Sequence, residues 1–113
     1  MKKSVSLMKR GFESSSSLTP EFAEFFRTFK SELSKGLKQA GAENIKIGRG
    51  HFYISGFFTL RDQVWYINFG DVRWSSSTML FRTAKNYTDY TGGSNRYVDF
   101  GENMVGDLLA KIA

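Results

Sequence analysis

The residues best able to do chemistry in this chain are few. His51 is the one histidine, and it follows a Gly-Arg-Gly turn, while Asp62, Asp71, Asp89 and Asp99 are scattered downstream of it. A histidine with converging carboxylates is the residue set of a metal-dependent hydrolase. The spacing here places no two of them on a common helical face or ligand loop. A lone histidine with no cysteine or signature serine nearby is more often a strand-surface residue. The runs "SSSS" and "SSS" have linker and loop composition, and neither forms a nucleophile elbow. "DFG" at Asp99 matches the magnesium motif of kinases, but the rest of that set is absent and the chain is too short for it. "GRGHFY" lacks the third glycine of a dinucleotide loop, and there is no Walker sequence. These observations lead us to expect a protein that is not an enzyme, with no catalytic residue, cofactor or metal.

Binding residues are more plentiful. Tyr53, Phe57 and Tyr66 fall on one side of an alternating pattern, with Arg49, Arg61, Arg73 and Arg82 around them. Aromatic rings with arginines on an open sheet can stack nucleic-acid bases, and outward rings also stabilise a sheet by pairing across strands. "KNYTDYTGGSNRY" adds Lys85, Tyr87, Tyr90, Arg96 and Tyr97. Its glycines and polar residues could shape a nest of backbone N–H groups for an anion. Plain hairpin-turn chemistry gives the same composition and is the favoured reading. Three tyrosines within eleven residues exceed what a turn needs, and tyrosine is enriched where surfaces meet partners. The candidate contact surface is Arg73, Trp74, Arg82, Lys85, Tyr87, Tyr90 and Arg96, together with the outward Tyr53 and Tyr66.

The elements that must position these residues follow from periodicity. Thr19, Pro20 and Glu21 have helix-start chemistry. Phe22, Phe25, Phe26, Phe29, Leu33 and Leu37 then recur at helical spacing, and Gly41 stops the run. From Glu43 the period becomes two: "NIKI", "HFYISGFFTL", "QVWYINF" and "TMLFRTA" read as strands, with "RD" as a hairpin turn. Gly92-Gly93 mark a reversal before a short strand at "RYV". "DFGENMVGDLLAKI" places Phe100, Met104, Leu108 and Ile112 on one helical stripe, with Asp99 and Glu102 at capping-box spacing. The expected fold is α+β and two-layered: an antiparallel meander of four to five strands with an N-terminal and a C-terminal helix on one face. Residues 1–17 read as a flexible basic, Ser-rich arm with a short extended piece at "SVSLM", and 18–113 as a single domain.

Composition sets outer bounds. A chain of 113 residues suits one modest core, and an aromatic share of 16% says that rings fill it. Cysteine is absent, so disulfides and thiolate sites are excluded. No apolar run approaches a membrane span, and the apolar middle of "MKKSVSLMKRGF", "VSLM", is shorter than a signal peptide's core, so a cytoplasmic location is expected. The net charge of +5 permits a polyanionic partner without requiring one. An aromatic outer face fits a monomer or a homodimer.

From "GHFYISGFFTL" through "WYINFGDVRWSSSTMLFRTAKNYTDYTGGSNRY" the chain resembles a family of short uncharacterised accessory proteins of phages, plasmids and conjugative elements of gut bacteria. "DVRW", "LFRTAK" and "DYTGGSN" are its most distinctive parts. The resemblance carries over no catalytic residues. It implies the company of small proteins that act against host defence, anti-CRISPR proteins among them. A chain at +5 is a poor mimic of a polyanion, so such an inhibitor would work by protein contact and occlusion rather than by copying DNA. The expected partner is a host defence protein, a CRISPR nuclease complex being the leading case. The alternative is a basic nucleic-acid-binding accessory protein using the aromatic and arginine sheet face with the basic arm.

Overall fold

Phenylalanine spacing makes the central helix. Phe22, Phe25, Phe29, Leu33 and Leu37 form one stripe of α2 (Pro20–Gln39), and all five are fully buried. The helix ends as Gly41 predicts. Gly41 takes φ 95°, its N–H bonds Lys38 O, and Ala42 N–H bonds Leu37 O at 2.9 Å. These two bonds form a Schellman stop that satisfies the last carbonyls. The computed structural model of the chain describes residues 1–10, 20–50, 53–70, 78–89 and 92–112.

Five antiparallel strands follow in meander order: β1 (Glu43–Arg49), β2 (Ile54–Leu60), β3 (Gln63–Phe69), β4 (Thr78–Ala84) and β5 (Arg96–Asp99). Arg61 and Asp62 both adopt positive φ at the β2–β3 reversal, which is the backbone of a two-residue type I′ turn. Alternation sends Ile54, Phe58, Leu60, Trp65, Ile67, Phe69, Met79, Phe81 and Val98 inward. They join the α2 stripe and Met104 and Leu108 of α3 (Met104–Ile112) in one core. Both helices therefore shelter the same side of the sheet, and the fold is the α+β meander that the periodicity predicts.

Two close approaches shape this core. A Cβ on Gly36 would lie 2.6 Å from Val105 Cγ1, so the Val105 side chain of α3 packs directly on the α2 backbone there. A Cβ on Gly56 would lie 2.2 Å from the Lys46 carbonyl oxygen. The missing side chain lets β1 fold over β2, beside the register shift between Glu43 and Lys46 where Asn44 has φ 52°.

Two sequence expectations change. The α3 cap does not form at Asp99, because β5 takes that residue as its last pair with Thr78. The helix begins after Asn103, whose carbonyl accepts Asp107 N–H at 3.0 Å. The second change concerns the expected arm. Lys2–Arg10 forms a helix, α1, packed on α2 rather than an extended piece. Its anchor is Glu32 of α2. The Glu32 carboxylate accepts the N–H groups of Lys3 and Ser4 at 3.2 and 2.9 Å and the Ser4 hydroxyl at 2.5 Å. Ser4 is fully buried. A carboxylate from one helix thus caps the first turn of another, where the free N–H groups and the dipole favour negative charge. Residues 11–19, including Thr19 and the rest of the expected arm, lie outside the described residues.

Burial raises the Glu32 carboxyl pKa, and the Ser4 hydroxyl, the Ser4 and Lys3 amides and the nearby chain amino group lower it by more. The net shift is downward. The ionised form therefore stabilises the docking of α1 above the ordinary carboxylate pKa, and that stabilisation is lost as pH falls through the lowered folded value. Glu32→Gln should loosen α1 at neutral pH by about 1 kcal/mol, the usual worth of a cap. The check is amide exchange at Lys3 and Ser4, faster by about fivefold in the variant, with acidification closing the gap between the two proteins. A second prediction concerns Gly56. Gly56→Ala drives a methyl into backbone that cannot move aside and should cost about 2 kcal/mol, as overpacking does, which lowers Tm by about 10 °C in a thermal melt.

Candidate functional site

The reverse of the sheet is built in cross-strand rows. Lys46 pairs with Phe57, Phe57 with Tyr66, and Tyr66 with Arg82. These four side chains line up across β1 to β4 on the side away from α2 and α3. Neighbouring rings pack: Phe57 and Tyr66 centroids are 5.3 Å apart, and the Arg82 guanidinium lies over the Tyr66 ring at 5.1 Å. Cross-strand pairs of this kind stiffen a sheet while leaving its backbone flat enough to dock against.

The β4–β5 connection then reaches back over the row. Tyr87 places its ring 5.5 Å from Phe57, and its hydroxyl lies 2.6 Å from the Thr59 hydroxyl and donates to Glu43 O at 3.4 Å. Lys46 Nζ sits over the same ring at 5.9 Å. Asn86 shapes this excursion. Its Oδ1 accepts Thr88 N–H, the Thr88 hydroxyl and Asp89 N–H, each at 2.8 Å. The amides that could have formed an anion nest at this point are thus bound to Asn86, in the manner of an Asx turn. Arg82 Nη1 donates to Asn95 Oδ1 at 2.6 Å and fastens the far side of the same connection.

One row further along, Gly48 pairs with Ser55, Ser55 with Asn68, Asn68 with Leu80, and Leu80 with Tyr97. Small residues make the first part of this row a shallow trough beside the ring row. Nothing lies within 4 Å of where a Gly48 Cβ would be. Tyr53 flanks the trough at the β2 end, and Tyr97 closes it at the β5 end. Among the described residues these are the large apolar side chains left exposed, at 42% and 53%. A Cβ on Gly50 would fall 2.2 Å from the Tyr53 ring, so the glycine is what allows that ring its position.

Of the candidate contact residues, Tyr53, Tyr66, Arg82 and Tyr87 converge on this side, and Lys85 is exposed just past the end of β4. Arg96 does not join them. It pairs with Phe81, stands over that ring at 5.0 Å on the helix side, and donates to the Lys111 carbonyl near the end of α3. There it serves as a cap, where a cation suits the negative end of the helix. Arg73, Trp74 and Tyr90 lie outside the described residues, as do His51 and Asp71 of the metal reading. Among the described residues no three His, Cys, Asp or Glu side chains group closely enough to hold a cation. No helix among them is long and apolar enough to cross a membrane.

Phe57 stands on the outer side where the alternation places it, and the residues that the candidate contact set lacks are Lys46 and Tyr97. Strict alternation from the buried Val98 places Tyr97 outward and Arg96 inward, so that signal was present in "RYVD". Comparison with protein families, with curated proteins and with solved structures finds no match for the chain.

Tyr87 is the tie between the long connection and the sheet. Tyr87→Phe should destabilise the protein by about 1 kcal/mol, the net worth of one hydrogen bond. A double-mutant cycle with Thr59→Val, followed by urea unfolding, checks the pairing: the two losses should be clearly less than additive. Full additivity would show that the two hydroxyls are not partners.

Proposed function

We propose that this chain is a non-enzymatic binding protein of a mobile genetic element that inhibits a host defence nuclease of the CRISPR type. It acts by protein contact and occlusion through the outer sheet face. The observation that carries this reading is the pairing state of the aromatic row. Phe57 is covered by Tyr87, and Tyr66 lies under Arg82, so the rings already have protein partners. Base stacking would need those faces. A protein partner needs a rigid, sheltered platform with amphipathic rings at its margin, and Tyr53 and Tyr97 meet that need at the two ends of the trough.

Charge selects the partner's surface. Lys46, Arg82 and Lys85 lie on or beside this face, so an acidic region of the nuclease is the complement. Resemblance to small accessory proteins of phages and plasmids supplies the biological setting. The carboxylate display of a DNA mimic is foreign to a chain of net charge +5.

The test is a cleavage assay with the purified CRISPR nuclease complexes of the host, with and without the protein, alongside co-elution by size exclusion. Cleavage should be blocked and a complex recovered. Tyr97→Ala and Arg82→Ala should each weaken the complex by about tenfold or more if they are central contacts. Unimpeded cleavage with no co-elution at any ratio would end this reading.

A further inference from the structure

The helical side of the molecule carries a second surface of different character. Arg27, Lys30, Lys35 and Lys38 are all exposed along α2. The acid among them in sequence, Glu32, has its carboxylate turned to the first turn of α1. That contact also brings exposed Lys3 beside the row. A groove of about 850 Å³ between α1, α2 and α3 is lined in part by Lys3, Arg27, Thr28, Ser31, Lys35 and Gln39. A second groove of about 630 Å³ runs along the other flank of α2 and adds Lys30, Ser34 and Lys38. Of the remaining acids of α2, Glu21 lies in the first turn, and exposed Glu24 stands one turn before Arg27 and bounds the cationic stretch at that end.

We propose that this α1–α2 face binds the phosphate backbone of a nucleic-acid duplex, without sequence preference, independently of the outer sheet face. Three observations favour a polyphosphate over an acidic protein. Cations alternate with hydroxyl and amide donors, the groups that hold phosphate oxygens. The ring on this face, half-buried Phe26, lines the second groove with Lys30 Nζ over it at 5.9 Å, and the exposed large apolar side chains, Tyr53 and Tyr97, belong to the sheet, so this face lacks the cluster of exposed aromatics that protein interfaces use. Arg27 to Lys38 span about 16 Å at the helical rise, which along the axis of a duplex passes about five phosphates of each strand. Docking of α1 completes the surface, because Glu32 would otherwise stand as an uncompensated negative charge in its middle. A protein that held a nuclease by one face and its duplex by the other would keep both in place without imitating either.

The experiment is fluorescence anisotropy of the full chain with a labelled duplex of arbitrary sequence, from 50 to 200 mM NaCl. With five cations engaged, the log–log salt slope should be about −4.5, a loss of about 500-fold in affinity across that range. Replacing two contacts in Arg27→Gln/Lys35→Gln should flatten the slope by about 2 and weaken binding by at least tenfold at the lowest salt. Both side chains are exposed, and an unchanged circular dichroism melt confirms that the variant is folded. Tyr97→Ala should bind duplex as the parent does, which separates this surface from the sheet face. The proposal is overturned by absence of duplex binding at 50 mM NaCl, by full binding of the α2 variant, or by loss of binding in Tyr97→Ala. Binding of labelled polyglutamate in preference to the duplex would also overturn it.

Discussion

Four phenylalanine rings from separate parts of the chain meet at one point, and the rest of the architecture is arranged around their contact. Phe25 and Phe29 of α2 pack on Phe69 at the end of β3 with centroids 6.4 and 5.4 Å apart, and Phe100, beyond β5, lies 5.1 Å from Phe69. Edge-on and tilted geometries are favoured by the ring quadrupoles, and each such pair adds about 1 kcal/mol to the burial itself. The cluster fixes which side of the sheet α2 covers and where the chain leaves β5 to enter α3. With both helices committed to one side, the outward set of every strand is decided, because strand side chains alternate with a period of two.

That constraint produces a sheet whose two sides do different work. The inner side is closed by rings and aliphatic groups. The outer side is ordered by lateral contacts: Lys46, Phe57, Tyr66 and Arg82 across the strands, with Tyr87 folded over from the β4–β5 connection. Such ordering lowers the entropy that a partner must overcome on binding, since the rings are already held in single positions. It also shields apolar area that would otherwise make the open side of the sheet prone to non-specific association. Tyr53 and Tyr97 remain outside this arrangement, at the margins where a phenol can meet both an apolar partner and water.

How legible this was from sequence depends on how local each determinant is. The α2 stripe, its Gly41 stop, the "RD" reversal and the five-strand order all rest on neighbours within a few residues, and periodicity or turn chemistry exposes them. Helix α1 carries only a short stripe, Ser4, Leu7 and Met8 with Met1 before them, in nine helical residues. Its composition is otherwise polar, and its stabilising group, Glu32, stands 28 residues from Ser4 in the chain, so the folded α2 is needed to show what holds it. Asp99 illustrates competition between two local signals, in which strand pairing with Thr78 overrode a capping pattern. Arg96 differs for another reason: its charge groups it with the outer-face residues, whereas its place in the alternation with Val98 sets it, still exposed, over Phe81 and at the end of α3. The surface around Tyr66 was visible as a residue set, but its closure by Tyr87 was not, because the reach of a long connection depends on its Asx turn and on contacts far away in sequence.

The distribution of charge follows from the same packing. In α2 the acids cluster where the helix begins and the cations occupy its later turns, a placement the dipole favours on its own. Glu32 breaks that order, and an isolated carboxylate there would oppose the surrounding lysines only weakly if it were solvated. Bound to the amides of α1 and 3.7 Å from the chain amino group, it contributes twice: it satisfies donors that would otherwise lack partners, and its charge, which lines the same groove as Arg27 and Lys35, is offset there by those groups. A dipole-driven gradient alone accounts for cations near the helix end. It does not account for Lys3 beside them, nor for the one interrupting acid being held by the first turn of a separate helix. The docking of α1 therefore changes the electrostatics of the helical side as much as its packing, and it does so through a single carboxylate whose ionisation is tied to that contact.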